Sequence, residues 1–288
     1  MPSSLFRSLA LLLVTAFGVA HSQEGPVAAL MTQPPPIQDN SFLLEEAYNQ
    51  EDGVIQHIST FTRTTDTHDW VYSFTEEWPV PGHARHQVSY TMLAAHNGGF
   101  PASGAGLGDF GLNYRYQLVG NGESKVAFAP RFTVLLPTGS PSQGRGFGGV
   151  SWQGNLPLSV QLNQKFVTHW NAGGTVVPHA RNSAGDRATA SSYSGGASVV
   201  WLAHPQFNVL LESLFVRYQS IEGAHQTSWS NSVLLSPGVR CAFNLRGGLQ
   251  IVPGVAVPVG VGPSGGQTGV FAYLSFEHPF RWATGRKQ

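Results

Sequence analysis

The 288-residue sequence has few charges, a single cysteine and no long apolar run. Only 11% of its residues are charged, against roughly 25% in an ordinary soluble domain, and 16 basic residues balance 16 acidic ones. A net charge of zero argues against nucleic-acid binding, which needs a basic surface for the phosphates. With Cys241 alone, the sequence excludes a disulfide framework and any zinc site with two or more thiolates. The lack of an apolar run of about 20 residues excludes a helical membrane protein.

What the sequence has instead is glycine, proline and aromatic side chains. It contains 34 glycines and 19 prolines, above their usual share, and 11% of its residues are aromatic. The aromatic content argues against a disordered chain. This composition indicates short strands joined by many turns.

The first 22 residues have the organisation of a cleavable export signal. Arg7 supplies a positive charge, residues 9–20 are apolar, and the small residues Ala20 and Ser22 occupy the −3 and −1 positions of a cleavage site. The alternative is a membrane anchor or a buried helix, for which the apolar stretch is short. We therefore expect an exported chain that begins at Gln23.

Residues 23–52 show no sustained period and predict a short periplasmic extension that precedes the main domain. Pro34, Pro35 and Pro36 favour an extended polyproline segment. Residues 41–48 are compatible with one or two helical turns capped by Asn40 or Ser41.

After residue 52 the dominant pattern is an alternation with period two. In residues 110–118, apolar and aromatic side chains alternate with Gly111, Asn113, Arg115 and Gln117. Only a strand gives this period, because successive side chains point to opposite faces. The pattern predicts about twelve strands within a domain of residues 53–280, followed by a tail of residues 281–288. The strands are expected at residues 54–63, 69–78, 86–95, 108–119, 125–137, 151–161, 165–177, 191–203, 206–218, 227–243, 249–259 and 268–278.

The predicted loops alternate between tight turns and longer connections, such as residues 97–107, 138–149, 178–190, 219–225 and 260–267. Long strands joined alternately by short and long loops are typical of a transmembrane barrel. The sheet of such a barrel must close, because every backbone group in hydrocarbon needs a hydrogen-bond partner. The alternative is a soluble β-sandwich with the aromatic side chains in its core. The sequence therefore predicts an all-β, antiparallel barrel that contacts outer-membrane lipid and is inserted by the barrel assembly machinery.

Two segments carry a family resemblance. Residues 108–116 read GDFGLNYRY and residues 129–139 read APRFTVLLPTG, with support from residues 155–159 and 276–280. These segments resemble the outer-membrane transporters of the "MetA pathway of phenol degradation" family over roughly residues 50–280. The resemblance implies a barrel in the bacterial outer membrane that takes up aromatic or other hydrophobic compounds. It supplies no catalytic motif.

The alternation places a set of polar side chains on the inner face of the barrel. Arg115 and Arg131 lie on neighbouring predicted strands, and buried charges must be paired or hydrated. Two interpretations stay open: a charged constriction that selects permeants, or an internal network that fills the lumen, with Glu212 as the partner of the arginines. The candidate lumen-lining residues are Asn113, Arg115, Gln117, Arg131, Gln153, Asn155, His169, Asn171 and Glu212.

No motif indicates catalysis, a metal site or a cofactor. Residues 262–266 satisfy G-x-S-x-G, but an alternating strand follows where a nucleophile elbow needs a helix. Residues 144–149 are glycine-rich and lack the Gly-Lys-Ser/Thr ending of a phosphate loop. The eleven histidines form no H-E-x-x-H motif or comparable cluster. We expect no cofactor and no metal.

The sequence therefore predicts an outer-membrane channel or transporter for passive uptake of small molecules, with a continuous polar lumen and without enzymatic activity. Two other classes remain. A barrel enzyme of lipase or esterase type predicts a Ser/His/carboxylate group on one wall at the outer rim. A structural or adhesive barrel predicts a lumen filled by side chains or by the N-terminal segment.

Overall fold

The structure is a computed structural model that describes residues 37, 41–99 and 104–280. The predicted export signal and the C-terminal tail, residues 281–288, lie outside the described residues. So does most of the stretch before residue 41.

The described residues form a closed antiparallel barrel of twelve strands. Each strand pairs with the next along the chain, and the last pairs with the first from Val54↔Pro279 to Thr64↔Gly269. The predicted fold class is confirmed. The strands are β1 Val54–Thr64, β2 Trp70–Val80, β3 His83–His96, β4 Gly106–Leu107 and Phe110–Tyr116, β5 Val126–Phe128 and Arg131–Leu136, β6 Ser151–Asn155 and Leu158–Gln161, β7 Phe166–Arg181, β8 Arg187–His204, β9 Phe207–Gly223, β10 Gln226–Cys241 and Phe243–Asn244, β11 Gln250–Ala256 and Val259–Gly260, and β12 Gly269–Pro279.

In the part of the chain that the structure describes, helical structure is limited to short 3-10 turns at Pro141–Gln143, Arg246–Gly248 and Gly262–Ser264. Among the described residues, no helix has the length and apolar character needed to cross a membrane.

Two connections predicted to be long are short. Strands β7 and β8 extend to Arg181 and from Arg187, so that residues 182–186 join them, and residues 224–225 join β9 to β10. The apolar alternation fades beyond residue 177 although the backbone pairing continues through Ala180↔Ala188. Hydropathy therefore marks the apolar band of these strands and misses their polar ends.

Prolines interrupt β5 and β6 without opening the wall. Pro130 and Pro157 have no N–H to donate, and both strands break beside them. The backbone still bonds across the breaks, since Ala129 N–H donates to Pro157 O at 3.2 Å and Tyr116 N–H donates to Pro130 O at 3.0 Å. The hydrogen-bonded ladder is therefore continuous here.

The chain ends distinguish the two ends of the barrel. At one end, which we call the termini end, Phe280 N–H donates to Gly53 O at 2.5 Å. The tight turns at residues 81–82 and 205–206 lie there too. The opposite end, which we call the loop end, carries residues 97–99 and 104–105 and the connections at residues 137–150 and 261–268.

Barrel closure predicts a specific cross-link between β1 and β12. Ser59 lies opposite Leu274, whereas Val270 lies four residues further along β12, about 13 Å away. In a Cys241→Ser background, Ser59→Cys with Leu274→Cys should be joined by a thiol cross-linker shorter than that distance and change mobility on a denaturing gel. Ser59→Cys with Val270→Cys is the matched control and should not react. Equal reaction of both pairs would contradict the register.

Candidate functional site: a lumen closed by the N-terminal segment

Residues 41–50, which we call the plug, lie inside the barrel at the termini end. Every plug residue is buried, and the backbone is irregular, with bends and no helix. The helical turns considered for residues 41–48 are therefore wrong, and this stretch lies within the domain it was expected to precede. The chain enters near the β8–β9 turn, where Ile37 N–H donates to Pro205 O at 3.2 Å, and it leaves at Gly53 beside the same rim.

Glu212 on β9 holds the first part of the plug through the main chain. Its Oε1 accepts the N–H groups of Phe42, Leu43 and Leu44 at 2.9, 2.9 and 3.2 Å, and its Oε2 accepts Leu43 N–H at 3.0 Å. Successive N–H groups that converge in this way form an anion-binding concavity. The expectation that Glu212 pairs with the lumen arginines is thus wrong, because its oxygens are used by the plug backbone.

Side-chain amides of the wall bind backbone N–H and C=O groups in the middle of the plug, in the way that the backbone of a neighbouring strand would. Asn171 accepts Glu45 N–H at 3.0 Å and donates to Glu45 O at 2.8 Å. Gln117 accepts Asn49 N–H at 2.9 Å and donates to Ala47 O at 2.8 Å. Because buried backbone groups need partners, these amides allow an irregular segment to lie in the lumen.

Glu45 supplies the carboxylate that the wall arginines contact. Its Oε2 lies 2.8 Å from Arg115 Nη2 and its Oε1 lies 2.7 Å from Arg131 Nη2. Asn155 Nδ2 donates to the same Oε1 at 2.8 Å, and Arg115 also donates to Tyr48 O at 2.9 Å. Both carboxylate oxygens are therefore in short, charge-assisted contacts in a water-poor site.

Glu46 makes looser contacts on the other side of the plug. Its Oε1 lies 3.3 Å from His169 Nε2 and 3.4 Å from Arg240 Nη2. These residues and Tyr48 line a cavity that opens at the termini end. Burial raises the pKa of the Tyr48 hydroxyl above its usual value, and the nearby Glu46 carboxylate raises it further, so the hydroxyl stays neutral.

Glycines in the wall make room for the apolar part of the plug. The Phe42 ring packs on Phe271 and Tyr273, with centroid separations of 5.3 and 5.4 Å. A Cβ atom at Gly238 or Gly254 would lie 2.7 or 2.5 Å from that ring. The absence of side chains at these two positions therefore shapes the Phe42 pocket.

Towards the loop end, the next layer of the wall on β4 to β7 is uncharged. Asn113, Thr133, Gln153 and Thr175 lie opposite one another along β4 to β7. Thr133 donates to Asn113 Oδ1 at 2.7 Å, and Gln153 donates to Thr175 Oγ1 at 3.1 Å. Hydroxyl and amide groups therefore line this part of the lumen beside the arginine layer.

The β5–β6 connection folds inward at the loop end. Asp109 accepts the N–H groups of Gly139 and Phe147 at 2.9 and 2.8 Å, and Arg145 donates to Gly104 O at 2.7 Å. Phe147 packs against buried apolar residues, including the cluster that contains Phe42. The lumen is therefore narrowed from the loop end as well as filled at the termini end.

The candidate residues from the sequence all lie on the inner face of the barrel, with exposures of 0–9%. Asn113 and Gln153 belong to the uncharged layer. The plug is contacted by Arg115, Gln117, Arg131, Asn155, His169, Asn171 and Glu212.

Sequence reasoning missed other contacts of the plug. Arg240 is one, although the alternation of β10 through Gly238 places it on the inner face. Gln87 is another, since it accepts Gln50 N–H at 2.6 Å. The plug itself carries no periodic signal.

The fold is that of solved outer-membrane channels. An outer membrane channel from Pseudomonas putida F1 matches with a TM-score of 0.62 and 13% identity, over 81% of this chain and 98% of its own. The NanC porin matches with a TM-score of 0.50 and 7% identity, over 78% of this chain and 100% of its own. No protein-family model matches the sequence, and no curated protein matches it. At these identities the similarity shows the barrel fold alone.

The Phe42 pocket predicts an asymmetry between two glycines. Gly254→Ala places a methyl group against the Phe42 ring and should destabilise the docked plug by about 1–3 kcal/mol, the usual range for overpacking. We expect a lower melting temperature in detergent and faster proteolysis of the plug. Gly154→Ala is the control, because its Cβ would meet nothing within 4 Å. Equal melting temperatures and equal proteolysis rates of the two variants would contradict the packing of Phe42 against Gly254.

Proposed function

We propose that this chain is a bacterial outer-membrane channel for the passive uptake of small molecules, and that the structure represents its closed state. The observation that carries the proposal is a closed barrel with an apolar outer face and a polar lumen. In this assignment the termini end faces the periplasm and the loop end faces outward, as in other outer-membrane barrels.

The outer face of the wall suits hydrocarbon. Large apolar side chains that would be unfavourable in water cover it, and the closed ladder pairs both edges of the described strands. Aromatic rings stack on this face, for example Phe132 on Trp152 with centroids 6.0 Å apart. Other exposed apolar residues are Leu112, Tyr114, Trp170, Tyr193, Trp201, Leu211, Phe215 and Val255.

The plug supports a channel that opens without dismantling its wall. The wall strands bond to each other, whereas the plug is held by side chains such as Glu212, Asn171 and Gln117. Withdrawal of the plug through the termini end would therefore leave the barrel ladder intact. The resemblance to the MetA family motifs favours aromatic or other hydrophobic compounds as permeants.

A structural or adhesive barrel would also have a lumen filled by its N-terminal segment. The polar layers favour the channel over this alternative: Asn113, Thr133, Gln153 and Thr175 continue the lumen beyond the plug. A barrel that served as an inert support would gain more stability from apolar filling at these positions.

One observation bears on the enzyme alternative. Ser159 Oγ lies 2.8 Å from His169 Nδ1, and His169 Nε2 lies 3.3 Å from Glu46 Oε1, which is the residue order of a hydrolytic triad with the two imidazole nitrogens exchanged. Ser159 is fully buried and accepts Ala47 N–H, so the plug covers it, and Arg240 shares the Glu46 oxygen. We expect hydrolysis of p-nitrophenyl butyrate by the refolded protein to equal that of Ser159→Ala. A Ser159-dependent rate would favour the enzyme.

The channel proposal is tested by conductance in planar bilayers. Glu212→Ala removes the acceptor for three plug N–H groups, and bonds to charged groups contribute about 1.5–3 kcal/mol each. We therefore expect the open fraction to rise at least about tenfold above that of the wild type. Glu222→Ala, which alters an exposed carboxylate on β9, is the control and should behave as wild type.

Two outcomes of this experiment would contradict a part of the proposal. A folded Glu212→Ala barrel that carries no current would point to a structural barrel. Equal currents for the two glutamate variants would show that the plug does not close the lumen.

A further inference from the structure

Three hydrogen-bond donors converge on one point of the lumen wall. Arg115 on β4 lies directly opposite Arg131 on β5, which in turn lies opposite Asn155 on β6. Like charges directly opposite one another in a sheet repel, and burial strengthens that repulsion. A negative charge between the two guanidinium groups offsets this repulsion.

The anion at this point has the geometry of a bound carboxylate. Glu45 places one oxygen on each arginine, at 2.8 and 2.7 Å, and Asn155 completes the contacts. Glu77 lies within electrostatic range of both arginines, and its Oε2 accepts a bond from Gln87 at 2.7 Å. The wall thus supplies the donors, and the plug supplies the carboxylate.

Glu46, the other plug carboxylate, makes longer contacts than Glu45 does. Glu46 approaches His169 and Arg240 at 3.3 and 3.4 Å, and it borders a cavity. Glu45, in contrast, has short contacts to both of its oxygens and is completely buried. The site around Glu45 therefore fits a carboxylate through short contacts to both oxygens, whereas Glu46 lies at longer distances from His169 and Arg240.

We propose that Arg115, Arg131 and Asn155 form a binding site for the carboxylate of a permeant organic acid, and that Glu45 occupies this site in the closed channel. This inference rests on the proposed channel function and narrows its substrate class. A carboxylate that arrives from the loop end meets the uncharged layer of Asn113 and Gln153 before the arginines.

The proposal couples binding to opening. A permeant carboxylate and Glu45 cannot both occupy the two guanidinium groups, so binding of one favours release of the other. Because Glu45 is tethered to the barrel, its effective concentration is on the order of millimolar or higher. The free acid should therefore bind weakly to the wild type and more tightly once Glu45 is neutralised.

The test uses Glu45→Gln in the full chain, with benzoate as the probe and benzamide as its neutral counterpart. Glu45→Gln keeps the shape of the side chain and removes its charge. At constant ionic strength, we expect benzoate to raise the melting temperature of Glu45→Gln in detergent at concentrations at least about tenfold lower than those needed for the wild type. Benzamide should have no effect on either protein.

Matched variants make the result specific. Glu46→Gln removes the neighbouring plug carboxylate but leaves Glu45 on the two arginines, so it should respond to benzoate much less than Glu45→Gln does. Arg131→Gln added to Glu45→Gln should abolish the response. If Glu45→Gln does not refold, Glu212→Ala loosens the plug without altering the carboxylate site and should also respond to benzoate more strongly than the wild type.

Different results would overturn the carboxylate site and the channel function. Equal effects of benzoate and benzamide, equal responses of Glu45→Gln and Glu46→Gln, or a response that survives Arg131→Gln would overturn the carboxylate site. In that case, current through Glu212→Ala would still support the channel function. Benzoate-dependent stabilisation without current in any variant would retain the site and overturn the channel.

Discussion

Every buried backbone N–H and C=O group needs a hydrogen-bond partner, and this requirement governs both the barrel wall and the plug. The wall satisfies the requirement by closing into a barrel, with β12 paired to β1 along the full length of both strands. The plug has no neighbouring strand and meets it with side chains, chiefly Glu212, Asn171 and Gln117. The backbone pairing of the wall is therefore independent of the plug, whereas the plug requires these particular lumen residues.

Charge inside the barrel follows from the same arrangement. The buried charged residues of the strands lie at the level of the plug, and the plug brings Glu45 and Glu46 to meet them. Breaking one partner of a buried ion pair costs more than the pair contributes, because the other charge stays buried. The docked plug therefore holds a particular position, and any segment or ligand that replaces it must bring a negative charge. The strand residues in question are Glu77, Arg115, Arg131, Glu212 and Arg240.

The sequence predicts the wall far better than it predicts the plug. Period-two alternation locates twelve strands and puts residues such as Arg115 and Asn171 on the inner face, because that period is a property of the strand backbone. It misses the ends of β7 to β9, where large apolar side chains on the outer face give way to small and polar ones. It also assigns Glu212 to the arginines, because a pattern confined to strands gives no information on the carboxylates of the plug. Glu45 lies in a segment whose structure depends on long-range contacts and leaves no period.

The plug is covalently connected to the barrel, and this connection determines how the channel can respond to a ligand. Residues 51–53 connect it directly to β1, so a displaced plug stays close to the lumen and competes continually with any ligand. Closure is then the resting state, and opening depends on the difference between the binding of the plug and that of the ligand. Since Glu212 and the Glu45 site hold different parts of the plug, weakening either contact should shift the same equilibrium.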